Sequence, residues 1–175
     1  TPAAEIVRDA ESADAALIIV GLHRHGLMDR ALNNETALQV MRNASCPVLG
    51  VVPEMAELPV HALAAIDFST MSLIAARSAR AILGQEGVLE LAHVPQLAVL
   101  LADEGEKVIQ RLGIREAFRL AMRELGGEHL TIDHVVLPPN TGGTPAQALL
   151  DYAENTRCDL IAAGSAHHGR IERWM

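Results

Sequence analysis

Two short loops in this sequence hold the residue types that could bind or react, and they are nearly the same loop written twice. Gly21-Leu22-His23-Arg24-His25-Gly26 follows an apolar run at residues 15–20, and Gly164-Ser165-Ala166-His167-His168-Gly169 follows another at residues 160–163. A glycine at a strand end lets backbone N–H groups approach an anion where the next helix begins. Neutral imidazoles are zinc ligands, so His23, His25, His167 and His168 form a second candidate set. Zinc needs three or four ligands, and neither histidine pair has a Cys, Asp or Glu at fixed spacing. Glycine-flanked surface loops also carry solvated histidines, so zinc stands as an alternative to the anion reading.

The two loops belong to an internal repeat. Placing Thr1-Pro2-Ala3 on Thr144-Pro145-Ala146 gives a constant offset of 143 positions, which also pairs Ala10 with Ala153, Leu17 with Leu160, Gly21 with Gly164, His25 with His168 and Arg30 with Arg173. A period this long marks duplicated domains and not a solenoid. The 175 residues hold one period and a fragment of a second. The expectation is therefore the C-terminal part of a first domain at residues 1–53, a proline-bounded acidic linker at residues 54–60, and a second domain at residues 61–175 lacking its last helix and strand. On this reading Thr1 is not the natural start.

The elements that position the loops alternate in type. Thr1 can cap a helix with Pro2 in its first turn, and Ile6, Val7 and Ala10 share one face. Residues 15–20 read as a strand buried on both faces, residues 33–43 as a helix and residues 47–52 as a strand with Pro47 tolerable only at its start or on an edge. In the second domain the order is strand 62–66, helix 71–83, strand 88–94, a helix within residues 99–125, strand 130–137, helix 144–155 and strand 160–163. Strands and helices alternating at this length imply right-handed parallel crossovers in an α/β fold.

Composition narrows the function. Half the residues are hydrophobic but only 2% are aromatic, so Ala, Leu, Ile and Val must fill the interior. A net charge of −8 repels nucleic acid and anionic lipid surfaces. No apolar stretch reaches the ~18 residues of a membrane span, and residues 1–5 lack the features of a secretory signal. Cys46 and Cys158 cannot build a disulfide framework and read as small buried thiols, which fits a cytoplasmic location.

In an open parallel sheet, ligands bind beyond the carboxyl ends of the strands, where the connection order reverses. Asp67, His93 with Val94, and Gly164 lie at such ends. Asp67 can accept hydrogen bonds from hydroxyls or an amino group, or it can cap the following helix. His93 and His134 fall in apolar strands and read as satisfied core or strand-end residues, while His61 and His129 read as exposed. Ser69 and Ser165 would lie near Asp67 and His167, yet there is no nucleophile elbow and no metal triad. The expectation is a protein without catalysis.

The residues resemble the universal stress proteins, in the tandem form with two domains per chain. Ile66-Asp67-Phe68-Ser69 is similar to that family's first-strand ending, Leu91-Ala92-His93-Val94 to its second, and Ser45-Cys46-Pro47-Val48-Leu49-Gly50-Val51-Val52 to its closing strand. The resemblance implies a doubly wound, Rossmann-like, five-stranded parallel sheet with helices on both faces, present in two copies. It also implies a homodimer or pseudo-dimer through the closing strand, residues 47–52.

It further implies an ATP or other adenine-nucleotide site at Ile66, Asp67, Val94, Ala163, Gly164 and His167 in the second copy. The degenerate counterpart in the first copy is Val20, Gly21, Arg24, Asn34 and Glu35. Nucleotide-binding members carry Gly, two residues, Gly, nine residues, then Gly and Ser or Thr. Here Arg24 and His167 stand at the second glycine, and Asn34-Glu35 at the final pair. Side chains where backbone must touch phosphate obstruct that pose, and Glu35 would repel the anion. The reading is a cytoplasmic, non-catalytic stress-response or regulatory protein; nucleotide binding with weak hydrolysis and zinc binding are the alternatives.

Overall fold

The computed structural model describes residues 1–22, 33–53, 55, 57–84, 86–95, 103–126, 131–138 and 143–164, with side chains described from residue 36 within the second of these segments. They divide into two compact units, Thr1–Glu57 and a second beginning at Leu58.

The first unit contains α1 (Pro2–Ser12), β1 (Ile18–Gly21), α2 (Asn33–Asn43) and β2 (Val48–Val51). Pro2 presets the first turn of α1, although Thr1 makes no side-chain capping bond, contrary to its expected role. β1 and β2 pair in parallel with Ile18 level with Val48 and Gly21 with Val51. Ala3, Val7, Ile18 and Val40 form the buried cluster beneath the two helices. β1 is buried on one face only, since Ile19 is 64% exposed while Ile18 is 8% exposed. The expectation of burial on both faces fails because both helices of this unit pack on the Ile18 side.

The second unit runs β3 (His61–Ala65), α3 (Thr70–Ile82), β4 (Val88–His93), α4 (Glu104–Leu125), β5 (Thr131–Val136), α5 (Pro145–Thr156) and β6 (Leu160–Ala163). Its strands are all parallel, in the order β5-β4-β3-β6. The helix starts are chemically explicit. Ser69 Oγ accepts from Ser72 N at 3.2 Å, Asp103 Oδ1 from Glu106 N at 2.9 Å, and Thr144 Oγ1 from Gln147 N at 3.2 Å, with Pro145 in the first turn of α5. Gly113 sits inside the 22-residue α4 without ending it.

Alternation along the strands makes two cores. Ala62, Ala64, Ile66, Leu89 and Leu91 pack with Ala76 and Ala79 of α3 and Phe118, Ala121 and Leu125 of α4. Leu63, Ala92 and Leu137 pack on the opposite face with Ala153 of α5. Alanines on strands and helices let the layers approach closely, and Arg77 with Glu124 and Arg80 with the Leu125 carbonyl tie α3 to α4.

These are parallel α/β sheets with helices, but of two and four strands rather than five in each of two copies. The closing strand β2 pairs in parallel with β1 of its own unit. Among the described residues, no helix is long and apolar enough to cross a membrane.

Candidate functional site

The crossovers β3 to β4 to β5 progress one way across the sheet, and the next returns to place β6 on the other side of β3. The order reverses between β3 and β6, and a crevice beyond their carboxyl ends is where such sheets bind ligands. Ala65 is level with Ala163 and with Ala92, so Ile66, Gly164 and His93 end three neighbouring strands at one height. Ile66 N donates to Ala92 O at 2.8 Å, extending the ladder one residue beyond β3. The expected second-copy residues Ile66, Asp67, Val94, Ala163 and Gly164 therefore meet at one sheet edge. Ile66 is buried at 3% exposure and supports the floor. Ala163, Gly164 and Asp67 are exposed, and Val94 is half-buried.

Asp67 is the exposed carboxylate of this edge. Its Oδ1 accepts from Ser69 N at 2.9 Å, a local turn that sets Ser69 to cap α3. Asp67 is thus one residue pair removed from the cap itself, and the capping alternative passes to Ser69. Hydrogen bonding from Ser69, through its hydroxyl first and its backbone N–H second, holds the Asp67 carboxyl below its ordinary range against the opposing pull of partial burial. It stays an anionic acceptor.

Gly164 is shaped by packing. A Cβ there would lie 2.5 Å from Met71 C and 2.6 Å from Ser72 N, in the backbone of the first turn of α3. Among the described residues, nothing lies within 4 Å of the same point on its repeat partner Gly21. Val20 and Gly21 end β1 in the other unit, and Asn34 and Glu35 fall in the first turn of α2. His23, Arg24, His25, His167 and His168, with Ser165 and His129, lie outside the described residues. Among the described residues, no group of three His, Cys, Asp or Glu side chains could hold a metal ion.

Beside Asp67, Phe68 adopts φ 65°, a left-handed conformation that costs a non-glycine residue about 1 kcal/mol or more. Packing sustains it. Its ring lies 5.0 Å from His93 and 5.1 Å edge-on from Phe118, which also stacks at 4.6 Å on His134. His93 Nδ1 is 2.7 Å from the Ile66 carbonyl oxygen. A carbonyl only accepts, so Nδ1 carries a proton and donates it. His93 is a satisfied strand-end residue, as expected. Phe118 was illegible from the sequence because nothing in a helical heptad says that it meets two histidines from different strands.

A second polar group lies on the α5 face. Tyr152 donates its hydroxyl to Glu90 Oε1 at 2.7 Å, His61 Nε2 is 3.5 Å from Glu90 Oε2, and Cys158 Sγ is 3.6 Å from both ring nitrogens of His61. Burial and the Glu90 carboxylate push Tyr152 up to about 12. Burial foremost, then the Glu90 and Asp159 charges, push the Cys158 thiol up, while the Thr156 hydroxyl opposes them. His61 is half-buried and not exposed as expected, because Glu90 and Cys158 lie against its ring. Cys158 and Cys46 are only half-buried. A glutamate in the middle of the apolar run Val88–His93 was the one sequence signal for this group.

Residues 1–52 match the family model described as the Universal stress protein family. No curated protein matches the chain. Among solved structures, a universal stress protein from Archaeoglobus fulgidus DSM 4304 is similar at 21% identity and TM-score 0.63, over 91% of this chain and 52% of that one. This chain thus spans about half the length of that protein. A protein from Mycobacterium tuberculosis H37Rv is similar at 19% identity and TM-score 0.45, over 67% and 79% of the two chains. A universal stress protein solved in complex with cAMP is similar at 22% identity and TM-score 0.37, over 60% and 71%. The Archaeoglobus likeness shows a shared α/β fold, and the match to the family model covers residues 1–52 of this chain.

Proposed function

We propose that this chain is a tandem-type universal stress protein of the cytoplasm that works without catalysis, through a homodimer or pseudo-dimer contact made by its closing strand. The observation that carries the reading is the state of β2. Among the described residues it is hydrogen-bonded along one edge only, to β1, and all four of its residues are half-exposed. An apolar strand with an open edge is a template for another strand. The non-catalytic half of the reading is supported by Cys158, a thiol beside an imidazole that its surroundings hold away from the thiolate a nucleophile needs.

Asp67 favours a second reading, an adenine-nucleotide site at the β3–β6 crevice. It presents an anionic acceptor suited to ribose hydroxyls or an amino group at the point where such folds bind ligands. Calorimetric titration with ATP separates the two. The non-catalytic dimer reading expects no saturable heat; saturable binding that disappears in Asp67→Ala favours the nucleotide.

A further inference from the structure

α4 carries its charges in a pattern that its own fold does not use. Lys107, Arg111, Arg115, Arg119 and Arg123 recur at every fourth position, so one helix holds five of the 14 lysines and arginines of an acidic chain. Residues four apart on a helix stand one above the next at a rise of about 6 Å, and such rows form its ridges. The positions that follow make the adjacent ridge, Val108, Leu112, Glu116 and Leu120. Val108, Leu112 and Leu120 are 51%, 57% and 45% exposed, and the four arginines are exposed as well. Phe118, Ala121 and Leu125 face the core, so neither ridge belongs to it.

Only part of the basic ridge is neutralised by this fold. Lys107 pairs with Glu104 at 2.8 Å, and Arg119 pairs with Glu116 through two bonds of 2.8 and 2.6 Å. The neighbouring Glu124 is taken by Arg77 of α3. Arg111, Arg115 and Arg123 make no hydrogen bond or ion pair among the described residues. The stretch that precedes α4 in the chain, residues 96–102, contains no acidic residue that could serve them.

We infer that the outer side of α4 is a docking surface for an acidic amphipathic helix of a partner protein. The groove between the two ridges takes a row of the partner's side chains, with the helices crossing at about 50°. Acids on that partner meet Arg111, Arg115 and Arg123, while its apolar stripe lies on Leu112 and Leu120. The paired ridges choose this occupant over a bare polyanion. A phosphate backbone has no apolar stripe for the leucines, and an extended anionic surface meets the repulsion of the whole chain at its net charge of −8. A single acidic helix meets the local cations. This surface is separate from the β2 edge and from the Asp67 crevice.

The probe is a labelled synthetic peptide of about 20 residues, long enough to form a helix, with glutamate at every fourth position and leucine directly after each. Titrated into the whole chain by fluorescence anisotropy, it should bind one-to-one with saturation and weaken as salt is raised. Arg115→Glu combined with Arg123→Glu should weaken binding at least about tenfold. A peptide with lysine in place of glutamate should bind that variant and not the parent. The variant should melt with the parent, because both side chains already face solvent without a described partner. Absence of saturable binding, or binding indifferent to the double charge reversal, overturns the inference. So does equal binding by a peptide with alanine for its leucines, or tighter binding to single-stranded DNA or phosphatidylserine vesicles, since the ridge would then read negative charge alone. A dimer of the parent that the double charge reversal abolishes also overturns it, because a second copy would then own the ridge.

Discussion

Gly164 and Ser72 are in backbone contact: a Cβ on Gly164 would stand 2.6 Å from Ser72 N. The end of β6 is thereby pressed against the first turn of α3, and the crevice wall has no room for a side chain. At Gly21, its repeat partner, the same point meets none of the described residues within 4 Å. Gly164→Ala should therefore destabilise the second unit by about 1–3 kcal/mol, as overpacking against backbone does. Gly21→Ala should stay within about 0.5 kcal/mol of the parent. Thermal melts of the two variants check this, and equal effects would contradict the packing account.

Tyr152 offers a direct reading of the Glu90 group, because it is the sole tyrosine. Burial and Glu90 raise its ionisation to about 12 from an ordinary 10.0. A group whose folded value is raised contributes stability that is complete below the ordinary value and is lost as pH rises through the raised one. Ultraviolet titration should show phenolate forming near the higher value in the folded protein, and lower in Glu90→Gln. Titration of the native protein at the ordinary value would exclude the Tyr152–Glu90 bond.

The opposite sign holds for Asp67. Its folded value lies below the ordinary 3.8, so its contribution is present above that pH and is lost as pH falls through the lowered value. Asp67→Asn should lower stability near neutrality and flatten the acid limb, so that the two proteins converge as pH falls. Chemical denaturation at a series of acid pH values measures it. An acid limb identical to the parent's would show that the Ser69 hydrogen bonds do not favour the carboxylate.

The aromatic cluster fixes the left-handed turn at Phe68. Phe118 is 1% exposed and meets Phe68, His93 and His134 at once. Phe118→Ala should cost about 3–5 kcal/mol, the range for a buried phenylalanine. Hydrogen exchange should then accelerate at Phe68 and Ser69 before it does at β3. Uniform acceleration through the unit would contradict a local role.

Strand and helix identity were legible because each segment has its own period and stop. Pro145 opens α5 and Gly164 ends β6, both local signals. The repeat was legible for the same reason. What the sequence withheld were relations between distant residues. Ile19 looks as buried as Ile18 in a run of apolar residues, and only the absence of a described helix on its side leaves it 64% exposed. His61 could not be joined to Glu90 and Cys158, which stand 29 and 97 positions away, until the sheet register and α5 brought them together. At the site, Asp67 could be placed at a strand end, but its partner Ser69 and the assignment of the cap depend on turn geometry.

The proposed assembly runs through the edge of β2 left open among the described residues, with Val51 level with Gly21 on the paired side. Light scattering of the intact chain at micromolar concentration tests it. The account predicts a dimer, and a shift to monomer in Val51→Lys, because a charged residue on an edge strand opposes pairing. A stable monomer in both proteins, or a dimer indifferent to Val51→Lys, would contradict it.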